Sequence, residues 1–461
     1  MTQKLLVSLI LFFILASEIS DAQQRRNTYQ DLLMRSDQAG IYVDHHVLPD
    51  ADGGSFLAVA FRMDYDLLPF RRVRASEAVP DSALEFTAVA RMNLDVFQDE
   101  GRQSEFNTVS TDSWVDTAWA SSYEVTRSRH NHLEGFMNTP LDPGSYRFML
   151  QLNRGETTRE NRSSQQTFTV PERSDSDAEN GVILLAESVS NSGPGIEFKW
   201  MNFGNNILYG QDYSIVLVLP ENTDPESTLN VRIHRLEPGS DSEMMGEPLF
   251  EEVISASDMT RSDGFVREED RKAPHLSFQS GDEGVYISIL TVPNRQFPND
   301  QFRISVSNSD EEEPILTRNV YSRWIDMPVS LLNMDVAVNM LRFIVDESTL
   351  RDLNRGSVAE RERRFRAFWG ERDPTPETEY NELMAEYYRR IDQAYQQFTT
   401  PQQPGFESDQ GRAFIQMGPP NRKERTFPVD SPTRELWFYD NQTLVFEATS
   451  GFGDFRLIGS E

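Results

Sequence analysis

Among the residues able to do chemistry, the densest group lies at 404–421, "PGFESDQGRAFIQMGPPN". Asp409 and Arg412 stand among Gly405, Gly411 and Gly418, with Ser408 before the acid and Pro419-Pro420 behind. A carboxylate and a guanidinium at an exposed turn, joined by Glu382 or Arg390 from a preceding helix, would form a polar cleft for acid–base work on a glycan or peptide. The same residue types also build a tight turn into a strand. The acid binds local amides, a glycine takes a positive φ, Phe406 packs beneath, and the prolines end a strand at 412–417 because they cannot donate to a ladder. On this second reading the stretch is a structural clasp between a helical half and a sheet, and none of its residues is catalytic.

Other clusters carry less. His130-Asn131-His132 and Asp44-His45-His46 would meet as a zinc site if their strands paired, since His-x-His puts both rings on one strand face. Surface histidines explain the same residues, and no metal or cofactor is expected. "DSDAENG" (175–181) spaces Asp175, Asp177 and Glu179 as a calcium loop does. However, Asn180 stands where that loop needs glycine and Glu187 falls one place past the bidentate position, so an acidic linker is expected instead. "DEEEP" (310–314) reads as a solvated turn. There is no Gly-x-Ser-x-Gly elbow, His-Glu-x-x-His helix, phosphate-binding glycine loop or cysteine.

The elements that must position these residues follow from periodicity. Alternation of apolar and polar residues predicts strands at 40–48, 55–65, 84–97, 116–126, 145–152 and 165–170, and again at 196–201, 212–219, 228–236, 285–292 and 301–307. Gly144-Ser145-Tyr146 and Gly284-Val285-Tyr286 each follow an acidic turn, the place where a tyrosine can fix a corner of an immunoglobulin-like sandwich. From Val329 the period becomes helical. Met334, Val338, Leu341 and Val345 form one stripe, and Ser357 with Glu360 reads as a capping box. The capped helix would bury Phe365, Phe368 and Trp369 and stop before Asp373-Pro374. A third helix, from about Glu379, would carry Leu383, Tyr387, Ile391, Ala394 and Phe398 on one face. Short strands then follow at 412–417, 435–440, 443–448 and 454–458, the middle pair joined by Asn441-Gln442.

In this order, "FWGERDPTPETEYNEL" (368–383), "EYYRRIDQAYQQF" (386–398), the 404–421 stretch and "ELWFYD" (435–440) resemble the GWxTD domain, a family of exported bacterial proteins of unestablished biochemical function. Phe368, Trp369, Asp373, Pro374, Asn381, Glu382 and Arg390 fall in the matching helical segments. In the name-giving pentapeptide Gly405 and Asp409 match, while Phe406 stands for Trp and Ser408 for Thr. Family members often place β-sandwich segments before this domain, so the resemblance implies the same order here and adds no activity.

The expected organisation is a leader at 1–22, a β-sandwich at 23–170, an acidic linker and entry at 171–195, a second sandwich at 196–328, and an α+β domain at 329–461. The fold class is thus two tandem immunoglobulin-like β-sandwiches followed by helices and a small antiparallel sheet. "MTQKLLVSLILFFILASEISDA" has one lysine, a short apolar run and a small-x-small end, the pattern of a secretory leader cleaved after Ala22. An exported chain without cysteine fits the bacterial periplasm or cell surface. A net charge of −30 argues against nucleic acid as a partner. The four lysines against forty arginines fit either a salt-adapted surface or a GC-rich genome. The functions compatible with all this are a non-catalytic interaction or structural role with an unknown protein or envelope component, a hydrolase of envelope glycan or peptide, and a cation-dependent adhesion module.

Overall fold

The computed structural model describes residues 29, 40–98, 107–128, 131–154, 160–162, 165–172, 181–192, 195–237, 239–267, 272–309, 311, 313–427, 431–449 and 454–460. The expected leader, His130, the loop acids Asp175, Asp177 and Glu179, and Asp310 and Glu312 of the "DEEEP" turn lie outside the described residues. The chain divides into two compact units, Ala39–Asp326 and Met327–Glu461, the latter including the N-terminal residues to Gln38. Among the described residues no helix is long and apolar enough to cross a membrane.

The first unit consists of β-sheets. Strands Ile41–Pro49, Ser55–Asp64 and His132–Leu141 pair antiparallel in that order and face a six-stranded sheet centred on Phe86–Gln98 and Gly144–Arg154. A seven-stranded sheet, with Val182–Ser192 at its centre, faces a five-stranded one that contains Thr228–Leu236 and Gln301–Asn308. The two sandwiches are not beads on a linker. Phe56, Ala58, Ala60 and Phe136 on the outer face of the three-stranded sheet form a third core with Leu184, Ala186, Phe198, Trp200, Val216 and Val218 of the seven-stranded one. The result is a stack of four sheets. It explains why "SFLAVAF" and "YSIVLVL" are nearly continuous apolar runs, since strands covered on both faces lose the polar half of the alternation.

Several expected elements differ. Val182–Ser192, within the stretch expected to be linker and entry, is the central strand of its sheet. The strand expected at 116–126 runs from Asn107 to Ala120, and Tyr123–Thr126 forms a helical turn capped by Ser122. The strand His132–Leu141 contains Gly135, Asn138 and Pro140, which hid its alternation. It is separated from Ile41–Pro49 by Ser55–Asp64, so His132 does not meet His45 or His46: His45 lies level with Val59 and thence Met137, five residues along from His132. The tyrosine corner forms at Tyr146, whose hydroxyl donates to Asp142 O at 2.9 Å. Tyr286 does otherwise and accepts from Arg261 Nη1 at 2.8 Å.

One buried ion pair ties three of the four sheets together. Arg318 Nη2 reaches Asp44 Oδ2 at 2.8 Å and Gly204 O at 3.1 Å, and Arg318 Nη1 donates to Ile183 O at 2.7 Å. Trp200 Nε1 donates to the same carboxylate oxygen at 3.0 Å, and His46 Nε2 stands 3.3 Å from the other. Burial alone would raise the Asp44 pKa, but Arg318 and His46 outweigh it and hold the carboxyl well below the usual range. Both side chains are 8% exposed. Truncating one partner strands the other's charge, so Arg318→Ala is expected to cost about 3–5 kcal/mol in urea unfolding. Arg232→Ala, which breaks the more exposed 2.7 Å pair with Glu251, should cost under about 1 kcal/mol. Equal costs would show that Arg318 does not hold the stack.

Candidate functional site

The C-terminal unit packs its helices on an antiparallel four-stranded sheet, Arg422–Thr426, Arg434–Phe438, Thr443–Ala448 and Phe455–Ser460. Ser357 and Glu360 form the expected capping box of helix Val358–Gly370, which buries Phe365, Phe368 and Trp369. The stripe expected as one helix from Met334 to Val345 breaks after Met340 into a 3-10 turn, because Asp346 caps a new helix, Glu347–Leu353. Helix Glu382–Phe398 buries Tyr387, Ile391 and Ala394, but Leu383 in its first turn is exposed. The hairpin at Asn441-Gln442 forms as expected.

The motif itself corrects the sequence reading. Residues 412–417 are not a strand but the body of helix Asp409–Met417. The three apolar residues Ala413, Phe414 and Ile415 are buried together, and a run that short fits either period. The ends decide. Ser408 accepts from the Gly411 amide at 2.9 Å as N-cap, and Gly418 stops the helix with φ +80° ahead of Pro419-Pro420.

Most of the motif residues are consumed by the fold. The Ser408 hydroxyl also donates to Gly405 O at 2.7 Å. Gly411 is helical and not, as expected, a positive-φ residue. Its place is steric: a Cβ there would sit 1.8 Å from Gly405 O, and one on Gly405 would sit 2.0 Å from Ala394 O. The helix, the turn and the end of Glu382–Phe398 therefore meet backbone to backbone. Phe406 fills the space beneath and stacks on Tyr395 at 5.7 Å. Asp409 does not bind local amides. Its Oδ2 accepts from Leu457 N at 2.9 Å and so holds the last strand. Next to it Gln410 Nε2 donates to buried Glu435 Oε1 at 3.1 Å, which also takes Trp437 Nε1 at 2.7 Å. Arg412 is exposed, its Nε donating to Glu407 O at 3.2 Å.

The other family-matching residues lie elsewhere. Asn381 caps its helix through Met384 N at 2.8 Å and reaches back to Trp369 O at 2.9 Å. Glu382 accepts from Thr375 Oγ1 at 2.6 Å, and Asp373 accepts from Thr375 N at 2.9 Å. Pro374 is exposed in that loop. Arg390 bonds Glu386 at 2.7 Å and lies against Gly418, whose carbonyl takes the Tyr439 hydroxyl at 3.0 Å. Gly418 is at the far end of the motif helix, roughly 13 Å from Asp409 at the helical rise. Arg390 therefore does not join Asp409 and Arg412 in one cleft. Among the described residues, no three His, Cys, Asp or Glu side chains are grouped to hold a metal ion.

Sequence reasoning missed Asp392. It lies between Tyr388 and Tyr395 on the inner face of its helix, and an acid on a buried stripe is the signal that could have found it. Its carboxylate accepts from the Tyr29 hydroxyl and from Val329 N, the latter at 2.8 Å. Burial pushes it up to about 6 against the lowering effect of those bonds. Nothing in the sequence flags Tyr29.

Helices followed by an antiparallel meander, clasped at a glycine contact, make the C-terminal unit a small α+β domain. Residues 327–453 match the GWxTD domain family, so the chain is a GWxTD domain-containing protein. No curated protein matches it.

Denaturant unfolding separates clasp from site. Gly405→Ala and Gly411→Ala should each cost more than about 3 kcal/mol, since backbone must move to admit the methyl group. Asp409→Ala should cost about 1–2 kcal/mol and Arg412→Ala under about 0.5 kcal/mol. Tolerated alanines at both glycines would refute the backbone contact. A pH series tests Asp392. Its folded value lies above the ordinary value near 4, so its contribution is complete below about pH 4 and is lost as pH rises through about 6. Relative to non-titrating Asp392→Asn, the native chain should lose roughly 2–3 kcal/mol across that interval. Parallel stability curves would show that Asp392 titrates normally.

Proposed function

We propose that this is an exported, non-catalytic interaction protein of the bacterial cell envelope, resident in the periplasm or at the cell surface. Its sandwiches, of the immunoglobulin-like kind, present edges and loops to a protein or envelope component. One observation carries the reading: the polar groups of the GWxTD motif are spent on the fold. Ser408 caps a helix, Asp409 holds the Leu457 amide, and the space beneath is filled by Phe406. The leader-like N-terminus and the cysteine-free sequence support export. The Tyr146 corner supports the immunoglobulin-like assignment. Strand Met244–Ser255, at an edge of the five-stranded sheet, carries exposed Leu249 and Val253 and leaves one side of its backbone open to strand addition. Nucleic acid is disfavoured as partner by the net charge of −30.

Two assays test the reading together. Expressed from its own start in a Gram-negative host, the protein should fractionate outside the cytoplasm with Gln23 as its first residue. Cytoplasmic protein retaining Met1 would overturn export. The purified protein should release no soluble fragments from cell-wall sacculi. Release abolished by Asp409→Asn, with the unfolding midpoint unchanged, would establish the hydrolase instead.

A further inference from the structure

The ring of Tyr29, from near the start of the chain, is 1% exposed within the C-terminal unit. It packs on Tyr395 at 4.5 Å and on Phe406 at 5.5 Å between ring centroids, and its hydroxyl donates to Asp392. Three parts of the unit supply its surroundings. Helix Glu382–Phe398 gives Asp392 and Tyr395, the motif turn gives Phe406, and the turn at Val329–Leu332 gives the amide that holds the second Asp392 oxygen. Two aromatic walls and one half-buried acceptor at the far end are what recognise a phenol, a flat apolar body with a donor at its tip. A phenylalanine would fill the same space but leave the acceptor short of its partner.

We propose that the C-terminal unit contains a tyrosine-binding socket, walled by Phe406 and Tyr395 and closed by Asp392, which the chain's own Tyr29 occupies in cis. The occupant is replaceable by a peptide that presents a tyrosine in the same way. Eleven Cα–Cα steps separate Tyr29 from Gly40, the first described residue of the β unit. At about 3.5 Å each they reach nearly 40 Å, so the ring can leave without unfolding either unit. The tether also holds Tyr29 at an effective concentration in the mM range, which keeps a free peptide out while Tyr29 is present. Phe406 thus has a second role beside packing the clasp: it forms one side of a binding site.

The test uses the full chain without its leader, as native protein and as Tyr29→Ala, and a labelled synthetic peptide of residues 23–38 followed by fluorescence anisotropy. The peptide should bind Tyr29→Ala saturably and native protein at least tenfold more weakly. The same peptide carrying Tyr29→Phe should bind Tyr29→Ala at least tenfold more weakly than the unmodified one. Binding to neither protein, equal binding to both, or indifference to the hydroxyl would overturn the proposal. If Tyr29→Ala does not fold, Tyr29→Phe in the full chain decides by hydrogen exchange. The Val329 amide should then exchange at least tenfold faster than in native protein, and an unchanged rate would reject the socket.

Discussion

At Gly405 and Gly411 two segments of backbone meet with no room for a side chain, and the architecture of the C-terminal unit follows from that contact. Because neither residue has a Cβ, the motif turn lies directly on the end of helix Glu382–Phe398, and the motif helix starts directly above the turn. Ser408 then has only one place to go. Its hydroxyl lies between Gly405 O and the Gly411 amide and bonds both. Phe406 is driven inward, and Asp409 is aimed at the last strand. The pentapeptide reads as a reactive cluster on paper, but its spacing is that of a joint.

The β unit solves a different problem, how to stack four sheets without exposing their faces. The apolar faces of the two middle sheets supply the third core, and the cost is that charged groups near it must be fully paired. Asp44 and Arg318 meet most of that demand with Trp200 and two backbone carbonyls, and Arg318 Nε is left without a partner among the described residues. Such a cluster adds little net stability over apolar packing, but it permits few alternative registers between the sheets. A similar logic governs Glu435 in the C-terminal unit, whose oxygens are taken by Gln410, Trp437 and Arg425.

The rigid motif also borders a side chain from far away in sequence. The aromatic residue that fills the clasp also touches Tyr29, so packing residues of the GWxTD turn are shared with the surroundings of a side chain from far away in sequence. Fold alone does not assign an activity.

The sequence by itself determined the elements whose signals are local. The capping box at Ser357, the inner face of Phe365, Phe368 and Trp369, and the alternating strands needed no distant partner, because caps and periodicity act within a turn or a pleat. The family resemblance was legible for the same reason, as a series of local patterns in order. Tertiary structure decided whatever depended on contacts between remote residues. Residues 412–417 became a helix through a cap and a stop that were present in the sequence, at Ser408 and Gly418, but were outweighed by the look of a short apolar run. The fusion of the sandwiches into four layers required the outer faces of two sheets to find each other. Tyr29 and Asp392 are 363 residues apart, and no periodicity spans that distance. Only folding brings the Tyr29 hydroxyl to that carboxylate.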